Sequence, residues 1–216
     1  MSLRLPSAVR AWFGDRGWKP SRFQRETWEA YLDGQSGLVH APTGAGKTLA
    51  AWLGPVIRHL RHGENRPEGL KVLWITPMRA LAADTEAALA ESVEALGLDW
   101  TVMRRTGDSS ASERAKLRKS PPTALITTPE SLSLLLTYAD FQPKLRQLDC
   151  VVVDEWHELV GSKRGVQLQL CLARLRALNP GLQTWGMSAT IGNLDEAAAV
   201  LLDPAHATAP RMIVAR

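Results

Sequence analysis

Apolar residues along the 216-residue chain follow two alternating periods. Short runs that are apolar or β-branched at nearly every position recur at 37–41, 72–76, 101–105, 124–127, 150–153 and 184–187, each bounded by Gly, Pro or Thr. They have strand length, and continuous apolar character suits strands covered on both faces. Between them, stretches 48–62, 79–96, 112–119, 132–138, 166–178 and 194–202 carry helical spacing and helix-forming composition. This alternation predicts an α/β fold, a mainly parallel sheet with helices on both faces. Ligands of such sheets sit beyond the carboxyl ends of the strands, so functional residues are expected directly after each strand.

Residues 1–36 read as a Trp- and Arg-rich helical region interrupted by Gly14, Gly17 and Pro20. Residues 37–203 hold the alternating pattern. Residues 204–216, with Pro204 and Pro210, read as a linker towards a further segment. A chain that is 45% hydrophobic and 22% charged can bury one sizeable core. The net charge of +4 suits a polyanionic partner but is too mild to decide anything alone. Cys150 and Cys171 fall in separate elements without metal-like spacing, which argues for two small buried residues and against a disulfide framework or zinc site. Of the eight tryptophans, Trp28, Trp52, Trp74 and Trp185 are assigned to the core. The first ten residues, MSLRLPSAVR, lack the apolar run of a secretory signal, and no later stretch approaches the roughly 20 apolar residues that span a bilayer, so a cytoplasmic protein is expected.

The segment Ala41-Pro-Thr-Gly-Ala-Gly-Lys47-Thr48 lies between a predicted strand and a predicted helix, the context a phosphate-binding loop requires. Thr43, Gly44, Ala45 and Gly46 supply backbone N–H groups that can curl around phosphates, and the helix N-terminus adds its positive dipole. Lys47 is expected to reach the β and γ oxygens, and the Thr48 hydroxyl to ligand Mg²⁺. Ala41 stands where the general pattern has Gly.

Val151-Val-Val-Asp154-Glu155-Trp156-His157 ends a buried strand in two acids. Alone, such a pair reads more readily as a solvated strand end. Beside a phosphate loop it places Asp154 near the metal and Glu155 where it can polarise an attacking water. Phosphoryl transfer of this kind is positioning and charge neutralisation, and Lys47, Asp154 and Glu155 are the candidate catalytic residues. His157 is a candidate polar link to Ser188-Ala-Thr190, whose hydroxyls follow the last strong strand and can change partners as a γ-phosphate leaves. A plain surface histidine and a plain loop are the alternatives.

These motifs, with Thr76-Pro-Met-Arg-Ala-Leu-Ala, Arg105-Thr-Gly-Asp108, Thr127-Thr-Pro-Glu-Ser-Leu132, Asp154-Glu-Trp-His-Glu-Leu159 and Gly161-Ser-Lys-Arg-Gly165, resemble superfamily 2 helicases of the DExH type. More narrowly, the chain resembles the large helicase-related family and its bacterial ligase-associated subgroup. The resemblance implies a RecA-like domain, with ATP and Mg²⁺ as cofactors. It also implies single-stranded DNA as the track, with 3′ to 5′ movement, unwinding of duplexes or RNA–DNA hybrids, and DNA repair alongside a ligase and a nuclease. By resemblance Gln24, preceded by Phe23 and Pro20, reads the adenine edge. Its alternative is a polar residue on a helix face. Pro77, Arg79, Thr106, Gly107, Thr128 and Pro129 are placed along a nucleic-acid surface, in loops suited to phosphates rather than bases. Arg79 and Arg105 have the alternative of being solvated or paired with nearby acids.

Helicases of this superfamily close the ATP site with a second RecA-like domain carrying arginine fingers, and no such motif follows Thr190, so the chain is expected to be the first motor domain alone. Three other readings stay open. RNA is an alternative track, because phosphate contacts do not report the sugar. A small P-loop kinase would share Lys47 and Asp154. A non-catalytic nucleic-acid-binding module is disfavoured by intact Lys47, Thr48, Asp154 and Glu155.

Overall fold

The computed structural model describes residues 3–63, 68–190, 192–202 and 210–215. Two helices open the chain, α1 (Ser7–Asp15) and α2 (Arg22–Leu32). The alternating body follows: β1 (Gly37–His40), α3 (Lys47–Arg61), β2 (Val72–Ile75), α4 (Arg79–Ala95), β3 (Val102–Arg105), α5 (Ala111–Lys119), β4 (Ala124–Thr127), α6 (Pro129–Thr137), α7 (Gln142–Leu145), β5 (Cys150–Val153), α8 (Trp156–Leu159), α9 (Lys163–Leu178), β6 (Gln183–Ser188), α10 (Leu194–Leu202) and β7 (Arg211–Val214). The seven strands form one parallel sheet in the order β3-β4-β2-β5-β6-β1-β7.

Residues β2, β4 and β5 are buried at every position, the burial that their unbroken apolar runs predicted. One apolar cluster lies under α1 to α4, and a second lies under α6 to α10. Trp28, Trp52, Trp74 and Trp185 are all buried, as are Cys150 and Cys171. Buried indoles need a partner for their N–H. Trp28 donates to the Leu49 carbonyl at 3.1 Å and Trp52 to Ser92 Oγ at 2.7 Å, which ties α3 to α2 on one side and to α4 on the other.

The N-terminal helices are not a separate body. Tyr31 of α2 lies so close to Gly54 of α3 that a Cβ there would stand 2.7 Å from the ring, and Arg58 sits over the same ring at 4.3 Å. The expected linker also resolves differently at its end. Arg211–Val214 pairs with β1 in parallel register, Gly37 opposite Arg211 and His40 opposite Val214, so this stretch is an edge strand of the same sheet. Residues 203–209 lie outside the described residues. No helix among the described residues is long and apolar enough to cross a membrane.

Candidate functional site

Strand register brings the sequence motifs to the carboxyl end of the sheet. Ala41 N–H donates to the Ser188 carbonyl at 3.1 Å, and Asp154 N–H donates to the Ile75 carbonyl at 2.8 Å. The loop after β1, the acids after β5 and the serine ending β6 are therefore neighbours across strands β5, β6 and β1. The loop itself stands proud: Thr43 and Gly44 are exposed, while Ala45 and Gly46 are half-buried. Gly44 (φ 80°) and Gly46 (φ 92°) occupy the left-handed region, which glycine enters without the clash a side chain brings. Lys47 is buried and its Nζ donates to the carbonyls of Ala41 at 2.9 Å and Pro42 at 3.3 Å, so the ammonium is held inside its own loop.

A cleft of about 360 Å³ is lined by Gly44, Lys47, Thr48, Asp154 and Glu155. Burial, then the charge of Glu155, pushes the Asp154 carboxyl up to about 6; Trp74 Nε1 (3.4 Å), the Glu155 N–H and Lys47 pull the other way. Glu155 is the one non-glycine residue among those described with positive φ, at 43°. Such a conformation costs of order 1–2 kcal/mol, and strain of this kind gathers at functional sites. Its Oε2 is buried without a hydrogen bond, and His157 Nδ1 stands 3.4 Å away. The same Nδ1 lies 3.2 Å from Ser188 Oγ. The polar link expected between His157 and Ser188 is thus present. Thr190 is exposed and outside it.

Gln24 caps its own helix. Its Oε1 accepts from Ser21 N–H at 2.9 Å while Nε2 donates to the Gly46 carbonyl at 3.1 Å. Gln24 thus has a structural role at the start of α2, and the same amide also touches the phosphate loop. Sequence reasoning missed two further residues of the cleft, Asp84 and Thr85 of α4. Leu81, Asp84, Thr85 and Ala88 share one helical face, the available signal, but periodicity does not say what a face meets.

The second predicted surface comes together in part. Arg79 and Gly107 are exposed, whereas Pro77, Thr106, Thr128 and Pro129 are buried. Thr128 spends its hydroxyl capping α6, accepting from Ser131 N–H, with Pro129 at the first helical position. Arg105 is not solvated and, among the described residues, pairs with no acid: it is 4% exposed and donates to the Ser131 carbonyl. Arg79 pairs with Asp108 across 2.5 Å.

A phosphate-binding loop beside an acidic strand end, on an all-parallel sheet in this order, defines a P-loop nucleotide-binding domain. Residues 21–197 match the DEAD/DEAH box helicase family, and the chain belongs to it. It is 39% identical over 211 residues to the Lhr helicase/uracil glycosylase of Escherichia coli K12, covering 90% of this chain and 14% of that protein. It is 38% identical over 180 residues to the ATP-dependent helicase Lhr-Core of Methanothermobacter thermautotrophicus, covering 78% of this chain and 21% of that one. The structure of Mycobacterium smegmatis helicase Lhr bound to ssDNA and AMP-PNP superposes with TM-score 0.89 at 35% identity, covering 99% of this chain and 28% of its own. The chain thus spans between 14% and 28% of the length of these relatives.

Proposed function

We propose that this chain is an ATP-binding motor domain of an ATP-dependent helicase or translocase that tracks single-stranded DNA from 3′ to 5′ and acts in DNA repair. The observation that carries the reading is the cleft in which Lys47, Thr48, Asp154 and Glu155 meet, joined through His157 to Ser188. A Mg²⁺-nucleotide fits these residues. Gly44 has nothing within 4 Å of where a Cβ would stand, leaving its backbone open to a phosphate, and the helix N-terminus at Lys47 favours an anion. Lys47 would exchange the carbonyls of Ala41 and Pro42 for β and γ oxygens. Thr48 and Asp154 would hold the metal, which when bound neutralises phosphate charge. Glu155, with a carboxylate oxygen lacking a hydrogen bond, is the group that would orient the attacking water. Gln24 would read the adenine edge by exchanging its contacts with Ser21 N–H and the Gly46 carbonyl for the base.

Strand contacts are proposed at Arg79 and Gly107, which are exposed, with the buried Pro77, Thr106, Thr128 and Pro129 shaping the loops of that surface, and Arg79 is the one charged side chain among them. Binding through it is sequence-independent and falls with salt, at a log–log slope near −0.7 per phosphate contact. Association with a DNA ligase and a nuclease is part of the same proposal and is tested by co-purification. The central experiment is calorimetric titration of Mg²⁺-ATP and Mg²⁺-ADP against the wild-type chain and Lys47→Ala, with DNA and RNA oligonucleotides compared in parallel. Equal nucleotide affinity in the two proteins would remove the assignment.

A further inference from the structure

Arg79 reaches into solvent, with 62% of its side chain exposed, and is engaged from two sides. Its Nη1 lies 2.5 Å from Asp108 Oδ1, on the loop after β3. Its guanidinium also lies over Gly107: a Cβ there would stand 3.1 Å from Nη2, 3.4 Å from Cζ and 3.7 Å from Nε. Those three distances place the group face-down on the glycine, where any side chain would press on it. The start of α4 and the loop after β3 enclose a cleft of about 290 Å³ that Arg104 also lines, but Arg104 is turned towards Glu86 at 3.4 Å. Asp108 is 68% exposed. An exposed pair of this kind contributes little to folding, so its consequence lies in orientation.

We propose that Asp108 is a positioning residue: together with Gly107 it holds Arg79 with its Nη2–Nε edge presented to a strand phosphate. This rests on Arg79 being a strand contact. A guanidinium takes phosphate oxygens best through two parallel N–H groups, and Asp108 engages only Nη1. Ordering a free arginine during binding costs roughly two- to tenfold in affinity. Here the order exists beforehand. Against this stands repulsion between Asp108 and the phosphate, roughly twofold for hydrated charges some 6 Å apart once salt screens them. The orientation effect is the larger, so an acid assists the binding of a polyanion that its charge alone would repel.

The two effects separate in two variants. Asp108→Ala removes both the charge and the contact. Asp108→Asn removes the charge but leaves an oxygen for Nη1. Fluorescence anisotropy of a labelled oligo(dT) with the 216-residue chain is expected to show Asp108→Ala binding about two- to fivefold more weakly than wild type. Asp108→Asn is expected to bind as tightly as wild type or more tightly. With Arg79→Ala in the background, Asp108→Ala should no longer weaken binding. Unchanged nucleotide affinity in each variant confirms an intact fold. If Asp108→Ala alone binds as tightly as wild type or more tightly, charge governs and the positioning role is overturned. If Arg79→Ala itself has no effect, the strand-surface reading falls and the inference falls with it.

Discussion

His157 Nδ1 lies 3.2 Å from Ser188 Oγ and 3.4 Å from Glu155 Oε2, so one imidazole touches both the acid of the nucleotide cleft and the end of β6. A change in what Glu155 faces therefore has a short polar route to the loop after Ser188. Its other nitrogen stands 3.4 Å from Glu158 Oε1, which limits how the ring can turn.

Ser188→Ala should leave nucleotide affinity within about threefold of wild type, because Ser188 does not line the cleft. It should instead reduce the factor by which an ATP analogue changes oligonucleotide affinity, since linked sites share a coupling energy of typically 1–3 kcal/mol. Anisotropy titrations with and without the analogue measure that factor. An unaltered factor with Ser188→Ala would show that the imidazole link carries no coupling.

Lys47→Ala should weaken Mg²⁺-ATP at least tenfold, because charge-assisted hydrogen bonds are worth about 1.5–3 kcal/mol. Glu155→Gln should retain binding and, in a longer polypeptide carrying a second RecA-like domain, abolish steady-state ATP turnover, since a neutral amide is a poor partner for the attacking water. Gln24→Ala should keep the phosphate contribution and narrow the preference for adenine over guanine nucleotides. Competition titrations with ATP and GTP read both quantities in one experiment.

Asp154 gives a stability prediction with a definite sign. Burial and Glu155 raise its carboxyl to about 6, above the unfolded value near 4. A raised value favours the protonated form in the folded state. Its stabilising contribution is thus fully present below pH 4 and lost as pH rises through 6, leaving a partly desolvated charge at pH 7.5. Asp154→Asn should therefore make the nucleotide-free protein more stable at pH 7.5, by of order 1–2 kcal/mol after discounting for partial solvent access. The gain should shrink towards pH 5. Thermal melts at the two pH values test this, and a variant that is less stable at pH 7.5 would contradict the burial argument.

Much of the fold was legible because its strands are buried on both faces and so spell themselves in unbroken apolar runs. Cys150–Val153 and Ala124–Thr127 were read to the residue. The edge strand Arg211–Val214 was not, because an edge strand exposes half its positions and here follows two prolines. The nucleotide loop and acids were legible because chemistry fixes their order along the chain. Asp84 and Thr85 were not, since only the packing of α4 against α3 turns that helical face to the cleft. The buried state of Arg105, Thr106 and Thr128 was equally hidden: loop residues rich in hydroxyls and cations read as surface until capping and carbonyl contacts claim them.

The cleft also predicts how this chain behaves as a catalyst. Among the described residues lining it, Lys47 is the one cation, against Asp84, Asp154 and Glu155. Phosphoryl transfer develops charge on the γ-phosphate, and an arginine supplied from outside the first domain can be worth about 10³ to 10⁵ in rate. The 216 residues should therefore bind nucleotide yet turn it over very slowly, and should not unwind duplex DNA, because a single sheet domain can hold a strand, whereas moving along it takes two bodies that close and reopen upon it. Steady-state turnover of ATP with and without single-stranded DNA, for this chain and for a longer polypeptide carrying a second RecA-like domain, is the measurement. Full, strand-stimulated turnover by the 216-residue monomer would show that the cleft is complete as it stands; turnover gained only with the second domain is the expected result.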